Sequence, residues 1–539
     1  MTATVPAAPA APAARARAHR VTLPGPARLL RLELRRSIMP WLAPLFAVLF
    51  WLVTYHPAMA NQPLWNIRSG IVPSHTMLAF APLLAGAAAW AGSRERRRSM
   101  ADLVGMTALP RWAGQLAAWA ATTCWAEAIY LAGVAAVFVV TAHEHAWGGP
   151  LWWPVAVGAA FVAASCALGF AAGTLLPSPF TPPLAAFVMF LALAGGAFAI
   201  QDNVRYAQIW PLNVQGPFPL DSYGIFYPYV PDLAIAQAVF LAGLSAAALG
   251  TLGLPAAAGG RWLRRAAAVV TAAGLAAAGT GVALAGTARL EAHGMVIPAL
   301  HDAASDRAIA YTPVCSHAAV PVCVHPAYRA FLTDVTAAHG PALSQLAGLP
   351  GAPVRVTQVA VTSVKPDPSN GIAFGGPIVS GRPPVLYLPL AGSSLPGEGS
   401  TSAAEFTDFL RQLDGRWIIS VVVGLSGQDS ELGGAGGNVV PLASPRNAAQ
   451  VAVVEGLANA LGLTQPSARS AGKTPGSRMP VSGAGTSVNP PGNGTPSITN
   501  QVRAAAQRFA SLPSGARHAW LITHLTALRA GRITLGEIP

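Results

Sequence analysis

The chain has 539 residues, 53% of them hydrophobic and only 10% charged, with a mean hydropathy of +0.45. Soluble globular domains carry about a quarter charged residues, so this composition excludes an ordinary soluble enzyme, and its apolar content excludes disorder over most of the chain. The net charge of +13 is almost wholly arginine, since Lys365 and Lys473 are the only lysines, and the arginines cluster beside apolar segments, which argues against a nucleic-acid partner.

Residues 1–27 are mostly Ala and Pro with Arg15, Arg17 and Arg20. A secretory signal needs an unbroken apolar core of about 7–15 residues. The prolines interrupt any such core, so a disordered cytoplasmic tail is expected. Over residues 28–37, Arg28, Arg31 and Arg35 share one helical face while Leu30 and Leu34 lie on another. That spacing predicts an amphipathic helix lying on the membrane surface.

Seven apolar segments follow, over residues 38–55, 74–90, 116–140, 153–175, 183–200, 233–252 and 265–286. Each meets the roughly 17–25 residues that cross the hydrocarbon core. Residues 38–287 are therefore expected to form a polytopic α-helical membrane bundle of about seven spans. With the N-terminus inside, the inside connections hold fifteen arginines, including Arg36, Arg94, Arg111, Arg261 and Arg265. Only Arg68 and Arg205 then fall on outside connections, which fixes the expected orientation. An odd number of spans places residues 288–539 outside the cytoplasm, in a multi-pass protein of the plasma membrane.

Two features of the bundle carry chemistry. The connection Ser93–Arg111 reads SRERRRSMADLVGMTALPR. Membrane topology alone accounts for its arginines. Ser99 can cap a helix, Asp102 suits its first turn, and Met100, Leu103 and Val104 form an apolar patch beside Arg96, Arg97 and Arg98. A protein-docking segment and a plain surface linker are both open readings. Glu127 falls near the middle of the third span, where a carboxylate is costly unless paired, hydrated or protonated. It is either a helix-packing hydrogen bond, the favoured reading, or a polar point in a translocation path or proton site.

On these residues, about the first 250 positions resemble the permease subunit of ABC-2-type transporters. The surface helix, the basic connection between spans two and three, and the aromatic segment before span six (Tyr206, Trp210, Phe218, Tyr223, Phe226, Tyr227 and Tyr229) carry the resemblance. The run RERRRSMADLVGMTALPRW is similar to actinobacterial-type members. A seventh span and a large outside domain depart from the plain six-span pattern. The resemblance implies that Arg96, Arg97, Arg98, Met100, Leu103 and Val104 belong to a coupling helix contacting an ABC ATPase subunit. It also implies an extracellular gate before span six and pairing with a second permease chain or in a homodimer. The expected function is the membrane subunit of an exporter, against a membrane-anchored extracytoplasmic binding or accessory protein, or an ion-coupled transporter using Glu127.

The ATPase itself is not expected in this chain. Gly472-Lys473-Thr474 resembles the end of a P-loop, but Ser467 occupies the first glycine position and no strand precedes it. In the tail, residues 354–364 and 384–390 read as strands and 417–423 as a buried strand. Helical patterns cover 326–346, 403–413, 446–461 and 498–530, so a mixed α/β domain is expected, with a flexible insertion over 465–500. Cys124 and Cys166 lie in apolar spans and read as inert core residues. Cys315 and Cys323, eight apart, favour a disulfide. His317 and His325 would then be ordinary surface residues, whereas in a zinc site they would join the cysteines as ligands. Val453–Ala460 lacks both histidines of a zinc-peptidase helix, and Gly424–Gly427 is one residue short of G-x-S-x-G, so neither a catalytic activity nor a cofactor is expected.

Overall fold

The computed structural model describes residues 24–97, 110–201, 205–212, 224–255, 260–291, 294–360, 363–367, 371–374, 378–390, 403–425, 447–463 and 498–539. The expected N-terminal tail and nearly all of the 465–500 insertion therefore lie outside the described residues.

Helix α1 (Pro24–Arg36) has the predicted two-faced character. Arg28, Arg31 and Arg35 are exposed, whereas Leu30 and Leu34 are half-buried against the bundle. Trp125 of the third span reaches across to donate a hydrogen bond from Nε1 to the Leu34 carbonyl at 3.0 Å.

Seven helices are long and apolar enough to cross a membrane: α2 (Met39–Ala60), α3 (Trp65–Gly92), α4 (Arg111–His143), α5 (Trp152–Leu175), α6 (Thr181–Gln201), α7 (Asp232–Thr251) and α8 (Gly260–Gly286). Helices suit this environment because they satisfy their own backbone hydrogen bonds. Their packing depends on small residues. A Cβ at Gly169 or Gly173 of α5 would collide with the Ala85 or Ala89 carbonyl of α3. Gly243 and Gly274 similarly bring α7 and α8 into backbone contact. Aromatic side chains fill the remaining centre, with Phe46 and Phe80 edge to face at 4.8 Å. Trp41, Phe180, Phe187, Phe198 and Trp262 point outward, as lipid-facing residues would.

Two short strands, β1 (Arg289–Glu291) and β2 (Gly294–Val296), leave the last span. The domain beyond is built on five strands in the order β3 (Val314–Cys315), β4 (Val322–Val324), β5 (Arg355–Val359), β9 (Val385–Pro389) and β8 (Ile378–Ser380). The three central strands run parallel and the two edge strands antiparallel to their neighbours. A separate hairpin pairs β6 (Ser363–Asp367) with β7 (Gly371–Phe374), so the expected strand over 354–364 is divided between two sheets. Helices α9 (Leu332–Leu346), α10 (Ala403–Val423), α11 (Ala448–Ala460), α12 (Ile498–Ser511) and α13 (Ser514–Arg529) complete it. The expected helix over 498–530 is broken next to Pro513, which caps α13.

The expected buried strand over 417–423 is instead the last two turns of α10. Its β-branched run favours a strand locally. Ile418, Ile419, Val422 and Val423, however, continue the apolar face begun by Leu410 and are buried against the domain core. Gly424, at φ +93°, then supplies the left-handed residue that stops the helix, its N–H bonding to the Ser420 carbonyl at 3.1 Å.

The domain core is continuous with one end of the bundle. Leu64 and Ile67 from the start of α3, and Ile225 and Phe226 ahead of α7, belong to the same buried cluster as Tyr328, Val356 and Leu386. The domain is therefore seated on the bundle along a shared apolar surface.

Candidate functional site

The two ends of the bundle hold the chemistry-bearing residues. At the arginine-rich end, α3 is followed by a single turn, Arg94–Arg97. Arg94 donates two bonds from one guanidinium nitrogen to the Glu33 carboxylate of α1, at 2.8 and 2.9 Å. Arg97 lies 3.4 Å above the Trp90 ring and donates to the Trp90 carbonyl at 2.6 Å. Arg111, opening α4, donates to Glu95 at 3.2 Å. Glu33, Glu95 and Trp125 thus tie the surface helix and both ends of the connection to the bundle. Arg96 belongs to the described turn, whereas Arg98, Met100, Leu103 and Val104 lie outside the described residues.

Glu127 is half-buried on α4, and its Oε2 has no hydrogen-bond partner among the described residues. Of the two cysteines in spans, Cys166 is buried, but Cys124 is exposed on the outer face of α4, correcting its expected place in the core. A helix that is apolar all round shows no hydropathy difference between its inner and outer positions.

At the opposite end, Arg68 was expected on an outside connection and is instead in the first turns of α3, only 1% exposed. Its guanidinium makes an ion pair with Glu144 and hydrogen bonds to the Thr141 hydroxyl and the Asn61 carbonyl, both at 3.0 Å. Asp232, fully buried at the N-terminus of α7, accepts a bond from the Ile297 N–H at 2.9 Å. His301 brings Nδ1 to 3.3 Å from the same carboxylate, without hydrogen-bond geometry, and Nε2 to 3.1 Å from Asp306. The bond to Asp306, reinforced by Asp232 against a desolvation penalty, holds the His301 pKa above its ordinary value.

Cys315 and Cys323 face each other across the antiparallel β3–β4 pair and are joined by a disulfide. Neither thiolate is therefore free to hold zinc. His317 is exposed, but His325 is fully buried, correcting its expected surface position. Its ring packs 4.4 Å from Trp147, 5.0 Å from Phe226 and 4.2 Å from Tyr311. Trp147 belongs to the connection between α4 and α5, so bundle and domain meet around this one imidazole. Nδ1 accepts from the Ala327 N–H at 3.1 Å, which puts the proton on Nε2, and Nε2 has no partner among the described residues. Burial holds the pKa down to about 4.

Comparison with protein-family models, curated proteins and solved structures gave no match to this chain. The basic connection and the disulfide are legible in the sequence. Arg68–Glu144 and the His325 enclosure are not, although a charged residue close to the apolar pair Ile71–Val72 is a signal for the first.

Proposed function

We propose that the chain is the membrane subunit of an ABC-type exporter, in which a separate ATPase chain docks at the arginine-rich end and hydrolyses ATP. One observation carries this reading. Glu33 grips Arg94 while Trp125 grips Leu34, so the surface helix, the start of the connection after α3 and the third span are mechanically linked. A partner pressing on that connection would move all three together. The excess of arginine at this end supports a cytoplasmic location for it, with the folded domain outside and the plasma membrane between.

Purification of the full chain from its own membranes, with any ATPase chain that accompanies it identified, tests the proposal. A stoichiometric complex is expected from the unaltered chain. Leu103→Asp should abolish it without preventing membrane insertion, because apolar anchors dominate docking while rim charges tune its rate. Consistent absence of an ATPase would overturn the reading.

A second reading, an extracytoplasmic binding or accessory protein held by its spans, is favoured by the core shared between the domain and the ends of α3 and α7. Normal export activity in cells lacking residues 288–539 would count against it.

A further inference from the structure

We propose that the arginine-rich end of the bundle holds one anionic phospholipid, its phosphate among arginines and an acyl chain in an adjoining apolar groove. This inference is independent of whether an ATPase docks nearby.

Two cavities carry it. One, of about 300 Å³, lies between the end of α1, the start of α2, the end of α3 and the flank of α4, with Glu33, Arg36, Ser37, Arg94 and Arg97 in its wall. The other, of about 310 Å³, lies between α2, α3 and α6 and is walled by Leu42, Leu45, Leu83, Gly86, Pro182 and Pro183, with no charged side chain. Ile38 and Trp90 line both. A polar compartment and an apolar one therefore adjoin across the wall formed by these two residues.

The polar compartment selects for negative charge. It contains three arginines and one glutamate, and Glu33 is engaged by Arg94. Arg36 has no carboxylate partner among the described residues, and the Arg97 guanidinium carbon lies 3.4 Å from the centre of the Trp90 ring. Guanidinium groups match phosphate oxygens in geometry and charge. The apolar groove is what separates a lipid from free phosphate, which could use the first compartment only. Trp41, 86% exposed, and Trp90 line the polar compartment, as aromatic residues do at a membrane–water boundary. A zwitterionic headgroup would bring a further cation to a compartment already in excess of cations, so the anionic class is preferred.

Native mass spectrometry of the full detergent-purified chain, offered phosphatidylglycerol and phosphatidylcholine of identical acyl chains, tests the proposal. One phosphatidylglycerol per chain should be retained, with about tenfold preference over phosphatidylcholine, given the attraction of anionic lipid to each arginine. Arg36→Gln combined with Arg97→Gln should remove the preference, and Leu83→Trp, which fills the groove, should reduce retention of both lipids. Arg111→Gln, outside both cavities, should change neither. On the unaltered chain, glycerol phosphate or inorganic phosphate should fail to displace the lipid, because each methylene buried in the groove adds about fourfold to its affinity. Equal retention of the two lipids, or displacement by either soluble phosphate at comparable concentration, would overturn the proposal. That second outcome would identify a phosphate site instead, and neither readout depends on a variant folding.

Discussion

The two ends of the bundle treat charge in opposite ways. At the arginine-rich end, Arg94, Arg97 and Arg111 lie at or near the surface and pair over short reaches with Glu33, the Trp90 ring and Glu95. At the end covered by the domain, one guanidinium, that of Arg68, is almost completely enclosed and meets Glu144, Thr141 and Asn61 together. Exposed pairs contribute little individually, because water and salt screen them, so that end works through the number of its charges. An enclosed charge has no solvent to fall back on, so the covered end works through the geometry of a few groups.

The comparison is broken most severely at Arg68. Glu144→Gln should cost about 3–5 kcal/mol of stability, since it leaves the enclosed Arg68 guanidinium without its carboxylate. Thermal unfolding of the purified chain would measure it, and a loss below about 1 kcal/mol would mean that the enclosed pair behaves like a surface one.

The next largest effect is expected from pH. His325 is neutral when enclosed and titrates near 4, whereas in an unfolded chain it titrates near its ordinary value of 6.5. As pH falls through that interval the unfolded chain gains a proton that the folded one refuses. The His325 contribution to stability should therefore fall by about 3 kcal/mol between neutral pH and pH 4. His301 has the opposite sign: its raised pKa stabilises the fold at low pH, and that contribution is lost as pH rises through the raised value. Hydrogen exchange of residues 322–324 across this range should show the acid-side loosening, and His325→Asn should flatten it while leaving the His301 contribution. Unchanged exchange at pH 4.5 would show that the imidazole is not sealed between domain and bundle.

The smallest effect belongs to the exposed end. Glu33→Gln should lower stability by less than about 1 kcal/mol, and the difference should shrink further in high salt. Comparing unfolding midpoints of the two proteins at low and high salt would sharpen the contrast with Glu144→Gln, whose cost should depend less on salt because the guanidinium it strands is enclosed.

Several of these features were legible without coordinates. Seven long apolar runs predicted seven helices, because hydrocarbon admits few other ways of satisfying a backbone, and the cysteine spacing predicted the bridge closed by Cys315 and Cys323. The two-faced spacing of Arg28, Arg31, Arg35, Leu30 and Leu34 similarly marked helix α1. These signals are local: each depends on residues within a few turns of one another.

Groups far apart in the chain were arranged by tertiary packing alone. Residues 417–423 have a strand-like composition, yet they became helix because Leu410 and Ile418 had to share one buried face. Arg68 looked like a loop cation until Thr141 and Glu144, more than seventy positions away, closed around it. His325 looked like a surface residue until Trp147, Phe226 and Tyr311 arrived from three separate segments. The sequence determined which segments would be helical and apolar, since that follows from neighbouring side chains. The environment of each isolated charge or imidazole was decided by the fold, since desolvation depends on what packs against a group, and those partners come from distant segments.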